Sequence, residues 1–225
     1  MAGVLQCALI VALSYLAGSI PTSILVGRIF FGRDPRAVGS GNAGGTNAFR
    51  AFGWKGGVPT ILVDVAKGAL ATLLISRLPA PSQLPHELVQ IVAGCAAVVG
   101  HIWTVFAGFR GGKGVGTAAG MVACLYPVAL LVSVGIFAVV LFSCGIVSVA
   151  SLTAAFLFPL LLLALDAGGI VRVPPILFWF SIPMALLIVF THRTNIRRLI
   201  EGRENKFPRL MIFARLFRRG RGASR

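Results

Sequence analysis

The sequence predicts an all-α integral membrane protein, a polytopic helix bundle, and three observations carry that prediction. Of the 225 residues, 57% are hydrophobic and 12% are charged, whereas soluble domains carry about 25% charged residues. Apolar runs of about 20 residues recur, and each is long enough to cross a bilayer core of about 30 Å. The positive charges gather in a few segments between or after these runs, as they do in the cytoplasmic loops of membrane proteins.

Five apolar segments follow one another along the chain. They cover residues 4–26, 58–78, 88–102, 115–165 and 176–190. The fourth is long enough for more than one crossing, and proline and glycine divide the chain from there to the last segment. We predict helix breaks at Tyr126-Pro127, at 143–145, at 166–169 and at Pro174-Pro175.

The distribution of charge sets the predicted orientation. The proline-rich LPAPSQLPHE has little positive charge and lies outside, whereas residues 28–55, residues 110–113 and the tail from His192 lie inside. The N-terminus is then outside and the C-terminus cytoplasmic. An even number of crossings separates Lys113 from His192, so we favour seven transmembrane helices, with five as the alternative.

The chain has a net charge of +15 and ends in a basic tail. More than half of the Lys and Arg residues follow Thr191, so membrane topology explains the charge better than nucleic-acid binding does. We predict a single membrane-embedded domain over residues 1–209 and a basic amphipathic tail over 210–225. The tail is either an interfacial helix on anionic headgroups or a solvated basic segment.

Two glycine-rich stretches resemble nucleotide motifs but lack what those motifs need. In FRGGKGVGT, Gly114 stands where a P-loop requires Ser or Thr for magnesium, and Ala107 stands at its first glycine. Upstream, Gly39, Gly41 and Gly44 spell G-x-G-x-x-G, but an arginine-rich segment precedes them instead of a strand. The sequence therefore excludes a nucleotide site at both places.

The first inside loop, which we call the first loop, is GSGNAGGTNAFR at residues 39–50. Its glycines let backbone amides converge on an anion, and polar side chains with one cation add directional bonds. The candidate ligands are Ser40, Asn42, Asn47 and Arg50. A flexible turn is the structural alternative.

The second inside loop is the glycine-lysine loop, Gly111–Gly114. We expect its glycines, Gly111, Gly112 and Gly114, to present bare amides and Lys113 to supply a point charge. A helix that begins just after it adds a favourable field for a dianion. His101, at the end of the preceding span, faces the same place in this prediction.

The third inside stretch is THRTNIRRLIEGRENKF, from Thr191. His192 and Asn195 are three residues apart, so they share one face of a helix, and a near-neutral base beside an amide suits proton handling at a hydroxyl. In the second span, Asp64 and Lys67 stand at i and i+3, where pairing offsets the cost of charge in a membrane.

Together these stretches resemble the bacterial membrane acyl-phosphate:glycerol-3-phosphate acyltransferases. The family motifs look like S-G-N-x-G-A-T-N, H-x-x-P-x-F-x-x-F-x-G-G-K-G-V-A-T and H-x-x-N-I-x-R-L-x-x-G-x-E. Here they read SGNAGGTN, HIWTVFAGFRGGKGVGT and HRTNIRRLIEGRE, and D-x-x-K-G matches from Asp64. Thr104 stands where proline is common, and Gly45 and Gly116 stand where alanine is usual.

The resemblance implies a reaction and a location. A fatty acyl group moves from acyl phosphate to the 1-hydroxyl of glycerol 3-phosphate, giving lysophosphatidate and phosphate, without a cofactor or metal. The implied fold is a seven-helix bundle in the bacterial inner membrane, with the site on its cytoplasmic face. The implied partners are the two substrates, membrane lipid and the enzyme that makes acyl phosphate, and we expect a monomer that binds no nucleic acid. A transporter for a phosphorylated metabolite is the alternative.

The resemblance also implies a role for each candidate residue. The resemblance implies that three residues are catalytic: Ser40, His192 and Asn195. It implies that seven bind phosphate: Asn42, Asn47, Arg50, Gly111, Gly112, Lys113 and Gly114. Supporting roles fall to Asp64, Lys67, His101 and Glu204, and the apolar helices receive the acyl chain.

Overall fold

Ten α-helices make up most of the chain in a computed structural model that describes residues 2–212. They are α1 Ala2–Ser19, α2 Thr22–Phe31, α3 Gly45–Phe52, α4 Trp54–Leu73, α5 His86–Ile102, α6 Val115–Leu125, α7 Pro127–Cys144, α8 Val147–Ala167, α9 Pro175–Thr191 and α10 Arg193–Ile200. Short 3-10 turns lie at Pro35–Ala37, Ile75–Arg77, Val105–Ala107 and Pro208–Leu210. The described residues contain no strand, so the all-α prediction is confirmed for them.

Five helical segments of the described chain are long and apolar enough to cross a membrane. They are Gly3–Phe31, Trp54–Arg77, His86–Ala107, Pro127–Cys144 and Val147–Ala167. The pair formed by α9 and α10, bent by 57°, gives a sixth if it counts as one span. These segments confirm a polytopic membrane protein, whereas the count of seven and the orientation stay predictions.

The predicted helix breaks after residue 115 are all present. One helix ends at Leu125 and the next begins at Pro127, another ends at Cys144, and α8 ends at Ala167 before α9 begins at Pro175. Proline cannot donate the backbone hydrogen bond that would continue a helix, and Gly145 adopts a φ of 71° that favours glycine.

The span predicted over residues 4–26 lies within the candidate span Gly3–Phe31, but its helix is interrupted at Ile20-Pro21, which was not predicted. Pro21 has no N–H to donate, so α1 stops two residues before it. The break leaves two carbonyls open to side chains. The Ser19 carbonyl accepts a hydrogen bond from the Thr104 hydroxyl, and the Ile20 carbonyl accepts one of 2.9 Å from the Lys67 ammonium.

The chain divides into two units, Met1–Pro127 and Val128–Arg225, and the prediction of a single domain over 1–209 stays a prediction. In the first unit, α1 packs on α5 and α4 packs on α6 through glycines. A Cβ on Gly68 of α4 would overlap the Thr117 carbonyl, and one on Gly120 of α6 would overlap the Val65 carbonyl. Small residues at such crossings let membrane helices approach closely.

In the second unit, α8 packs on α9, and the segment after α10 returns to the break between α7 and α8. There the Phe207 N–H donates to the Gly145 carbonyl at 2.7 Å. A Cβ on Gly145 would lie 2.8 Å from the Met211 side chain, so this contact requires glycine. The predicted interfacial helix of the basic tail falls mostly on residues 213–225, outside the described residues.

Candidate functional site

The first loop is held in shape by the buried amide of Asn47. Its Nδ2 donates to the Pro35 carbonyl at 2.6 Å and to the Val38 carbonyl at 3.1 Å, and its Oδ1 accepts from the Ser40 N–H at 2.8 Å. A Cβ on Gly39 would overlap this Oδ1. The Asn47 amide donates to carbonyls just before the loop and accepts from Ser40 within it, so these contacts fix the position of Ser40. Direct substrate binding by Asn47 stays a prediction.

An ion pair that the sequence interpretation missed precedes this loop. Asp34 caps the 3-10 turn by accepting from the Arg36 N–H at 2.9 Å, and its carboxylate accepts from Nη2 of the same arginine at 2.8 Å. The side-chain hydrogen bond from Arg36 is the largest cause of a lowered Asp34 pKa. The Arg36 Nη1 also donates to the Ala107 carbonyl at 3.4 Å. An acidic residue just before proline is an N-cap signal that could have identified Asp34.

The glycine-lysine loop is closed over the end of α5. The Gly111 N–H donates to the Ile102 carbonyl and the Gly112 N–H to the His101 carbonyl, both at 3.0 Å. These two amides are therefore not bare, which corrects the expectation for Gly111 and Gly112. Gly114 caps α6 with a φ of 85° that favours glycine, and the N-terminus of α6 keeps the predicted field for an anion.

Three buried polar side chains lie beneath this loop. Asp64 and Lys67 form the predicted i,i+3 ion pair at 2.8 Å, and the Lys67 ammonium lies 3.2 Å from Nδ1 of His101. The Asp64 Oδ1 lies 3.5 Å from the same Nδ1, so the three side chains form one buried polar cluster. A Cβ on Gly112 would overlap Nε2. The cluster therefore contacts the loop from below through His101, and the supporting role of the three side chains stays a prediction.

Within the first unit, the first loop and the glycine-lysine loop adjoin. A Cβ on Gly44 would lie 3.9 Å from the Gly112 Cα and 3.1 Å from the Asn42 Oδ1. A Cβ on Gly39 would lie 3.6 Å from the Arg50 Cδ. The two motifs thus meet at Gly44 and Gly112, with Arg50 in one loop and Lys113 in the other.

A strained aromatic residue stands between α5 and the glycine-lysine loop. Phe109 has a φ of 59° and is the one non-glycine residue with positive φ among the described residues. This conformation costs an L-residue about 1–2 kcal/mol. The Phe109 N–H donates to the Thr104 carbonyl at 2.8 Å, which closes the turn around Val105–Ala107. The sequence interpretation assigned Phe109 no role.

The third stretch lies in the second unit, where His192 occupies the 57° bend between α9 and α10. The ring is buried, and its Nδ1 lies 2.8 Å from the Ile188 carbonyl. A carbonyl only accepts, so Nδ1 carries a proton in this contact. The contact holds the ring in one orientation at the bend.

The side chains of Asn195 and Glu204, which both follow the bend in the chain, are hydrogen-bonded to each other. The Asn195 Nδ2 donates to one carboxylate oxygen of Glu204 at 2.9 Å, and the Arg198 Nε donates to the other at 2.8 Å. Glu204 is buried, so its charge depends on these partners. This arrangement supports the predicted structural role of Glu204, which acts by fixing Asn195 on α10.

The three departures from the family motifs have local explanations. Thr104 has a φ of −68°, which is the value that proline imposes, and its hydroxyl adds a bond that proline lacks. A Cβ on Gly45 would overlap the Ile61 side chain, and one on Gly116 would lie 3.3 Å from the Asp64 Cβ. Glycine at these two positions therefore allows closer helix contact on either side of the site.

Among residues 2–212, no three His, Cys, Asp or Glu side chains form a group that could hold a metal ion. The polar groups of the two loops include hydrogen-bond donors and cationic side chains, and both kinds of group bind anionic oxygens. The chemistry that this arrangement can perform is therefore the positioning and charge stabilisation of phosphate-bearing molecules.

Comparison with known proteins gives consistent matches over nearly the whole chain. The family model for glycerol-3-phosphate acyltransferase matches residues 8–202. The glycerol-3-phosphate acyltransferases of Chlorobium luteolum and Chlorobaculum tepidum are each 43% identical, over 88% of this chain and 94% of theirs. Two crystal structures of PlsY, an integral membrane glycerol 3-phosphate acyltransferase, also match. Its glycerol 3-phosphate form has a TM-score of 0.78 at 35% identity, and its lysophosphatidic acid form 0.75 at 33%, each over 92% of this chain and 98% of that one.

Proposed function

Because this chain belongs to the glycerol-3-phosphate acyltransferase family, we propose that it transfers a fatty acyl group from acyl phosphate to the 1-hydroxyl of glycerol 3-phosphate. The products are lysophosphatidate and inorganic phosphate. The observation that carries the proposal is the meeting of the first loop with the glycine-lysine loop, marked by Gly44 beside Gly112. Two phosphate-bearing substrates repel each other, and two adjoining loops with amides and cations offset that repulsion.

The bond changes need no covalent enzyme intermediate. The substrate hydroxyl oxygen attacks the acyl carbonyl carbon, and the bond from that carbon to the phosphate oxygen breaks. Phosphate leaves with the electron pair, and the hydroxyl proton passes to a base. Because phosphate is already a good leaving group, the protein acts by holding and orienting the two substrates.

The proton has two candidate acceptors, Nε2 of His192 and a phosphate oxygen of a substrate. The hydrogen bond between Nδ1 and the Ile188 carbonyl supports the first, since it holds the ring in one orientation at the bend. In the second, His192 orients the hydroxyl. The two differ in the pH dependence of kcat, which follows the histidine only in the first.

The remaining roles follow the family resemblance and the local contacts. We assign glycerol phosphate to Gly111–Gly114, where Lys113 supplies the charge. Ser40 and Arg50 orient phosphate near the reacting carbon. The side chains of Ser40 and Asn42 have no hydrogen bond recorded within residues 2–212, which supports their use by a substrate.

We also propose that the chain crosses a bacterial inner membrane seven times, with the N-terminus outside and both loops of the first unit in the cytoplasm. The five long spans, the short apolar helix α6 and α9 would supply the seven crossings. Thiol labelling from either side of the membrane tests this, in a background without the four native cysteines. Labelling of a cysteine at position 40 or 113 from the outside alone contradicts it.

The deciding assay uses purified protein in detergent with glycerol 3-phosphate and one of three acyl donors. We expect lysophosphatidate with acyl phosphate and none with the acyl-CoA or acyl carrier protein thioesters. Product from a thioester alone overturns the choice of donor. No product from any donor, together with saturable uptake of glycerol 3-phosphate into vesicles, supports the transporter instead.

Two substitutions test the assigned residues. Lys113→Ala should raise the KM for glycerol 3-phosphate at least about tenfold, because charge-assisted bonds to phosphate contribute about 1.5–3 kcal/mol. Lys55→Ala, at an exposed lysine of α4, is the matched loss of charge and should leave KM unchanged.

His192→Ala should abolish turnover, and turnover at the normal rate removes its catalytic role.

A further inference from the structure

The turn before the glycine-lysine loop carries two exposed aromatic rings. Phe106 is 60% exposed and Phe109 is 59% exposed. The backbone of Phe109 has a φ of 59°, which is unfavourable for residues that carry a Cβ. A strained residue normally gains packing that offsets its conformation. Here the ring gains little contact from the described chain, so folding alone does not account for the strain.

The backbone beneath these rings is held from three sides. The Phe109 N–H donates to the Thr104 carbonyl, the Thr104 hydroxyl donates to the Ser19 carbonyl, and Arg36 donates to the Ala107 carbonyl. The backbone of this turn is therefore fixed by the fold, and the turn does not need to rearrange to expose the Phe109 ring.

The position of the rings identifies the class of ligand. Phe109 is four residues before Lys113, a distance of at most about 14 Å along the chain, and Arg110 separates it from the glycines. An apolar surface this close to a phosphate-binding loop matches a molecule with an anionic head and an apolar tail. The acyl phosphate of the proposed reaction is such a molecule.

We propose that Phe106 and Phe109, the aromatic ridge, bind the part of the acyl chain nearest the phosphate of acyl phosphate. The inference rests on the proposed function and adds a subsite to it. Contact with bulk lipid needs no special backbone geometry, as the exposed Leu131 of helix α7 illustrates at 72% exposure. A ring placed on a strained backbone position instead favours one particular contact, near the group that carries the reacting carbon.

The test replaces Phe109 with glycine, which removes the ring and adopts positive φ without strain. We compare kcat and KM for palmitoyl phosphate and acetyl phosphate at saturating glycerol 3-phosphate. The KM for palmitoyl phosphate should rise about tenfold or more, as expected for loss of a buried aromatic contact. Acetyl phosphate has only a methyl group beyond its carbonyl carbon, so its KM should change less than about twofold, and the melting temperature should stay equal or rise. Phe106→Ala should shift the same two KM values in the same directions.

Leu131→Ala is the control for loss of an exposed apolar side chain, and it should leave both KM values unchanged. If Phe109→Gly does not fold, Phe109→Asn replaces it, since asparagine tolerates this conformation. Equal KM changes for the two donors, or none, overturn the subsite, as does a change in nanodiscs that disappears in detergent, which indicates lipid contact. If the unaltered protein turns over neither donor, the proposed function fails instead.

Discussion

The ion pair between Asp64 and Lys67 allows a sharp test of how the membrane-embedded part of the first unit is stabilised. Both side chains are about 5% exposed, and both lie inside the candidate span Trp54–Arg77. We consider three variants: Asp64→Asn, Lys67→Met, and the two together. Each single variant leaves one buried charge without its counter-ion, whereas the double variant removes both charges.

The contacts decide the expected order of the losses. Breaking a buried ion pair by removing one partner costs about 3–5 kcal/mol. Asp64→Asn leaves the Lys67 ammonium with the Ile20 carbonyl and His101, so we place it near the lower value. Lys67→Met leaves the Asp64 carboxylate with His101 at 3.5 Å, so we place it near the upper value. The double variant should be more stable than either, because no buried charge remains.

The measurement is thermal unfolding in detergent, followed with a thiol-reactive dye. The four cysteines are free and half-buried, so they report unfolding without added labels. For a chain of this length, a loss of about 3 kcal/mol corresponds to about 6–12 °C. Lys55→Met, at the exposed start of the same helix, is the control and should shift the melting temperature little. A double variant less stable than both single variants refutes the reasoning.

Three further predictions follow from the packing and the loop contacts. Gly120→Ala should cost about 1–3 kcal/mol, because its Cβ meets backbone, while Gly135→Ala, whose Cβ meets open space, should cost nothing in the same unfolding assay. Thr104→Val should lose about 1–3 kcal/mol by leaving a buried carbonyl unsatisfied, and Thr104→Ser should retain most of the stability; equal losses contradict this. The lowered Asp34 pKa means that its bond to Arg36 stabilises the protein fully above about pH 3.9, the ordinary value. This contribution disappears as the pH falls through the folded-state pKa, so the difference in melting temperature between the unaltered protein and Asp34→Asn should shrink in acid; a constant difference contradicts it.

Hydrophobicity and helix-breaking residues predicted much of the fold. The breaks at Pro127 and Pro175 were predictable because proline ends a helix whatever surrounds it. The break at Pro21 was missed because the apolar pattern continues through it, and hydropathy alone does not register a missing N–H. The short helix α6 shows the limit of counting spans by length, since its 11 residues rise about 16 Å.

The sequence predicted which residues belong to the candidate site, but it did not predict most of the contacts between them. The i,i+3 spacing gave the pairing of Asp64 with Lys67, because both residues are on one helix. The partners of Asn47 and the closure of Gly112 onto the His101 carbonyl depend on chain folding between distant residues, which no local pattern encodes. Phe109 was missed for a related reason: its significance lies in its backbone angle, and its side chain alone is ordinary.

The interruption at Pro21 has a consequence for how sensitivity to mutation should be distributed. The carbonyls of Ser19 and Ile20 lie at the interruption between α1 and α2, where they accept from Thr104 below the aromatic ridge and from Lys67 below the glycine-lysine loop. If Pro21→Ala allowed the helix to continue, both carbonyl oxygens would accept backbone hydrogen bonds within it. They would then no longer accept from Lys67 and Thr104, which lie about 50 to 85 positions downstream. The interruption of the first helix thus positions Thr104 and Lys67, although Pro21 itself lies outside the three motifs.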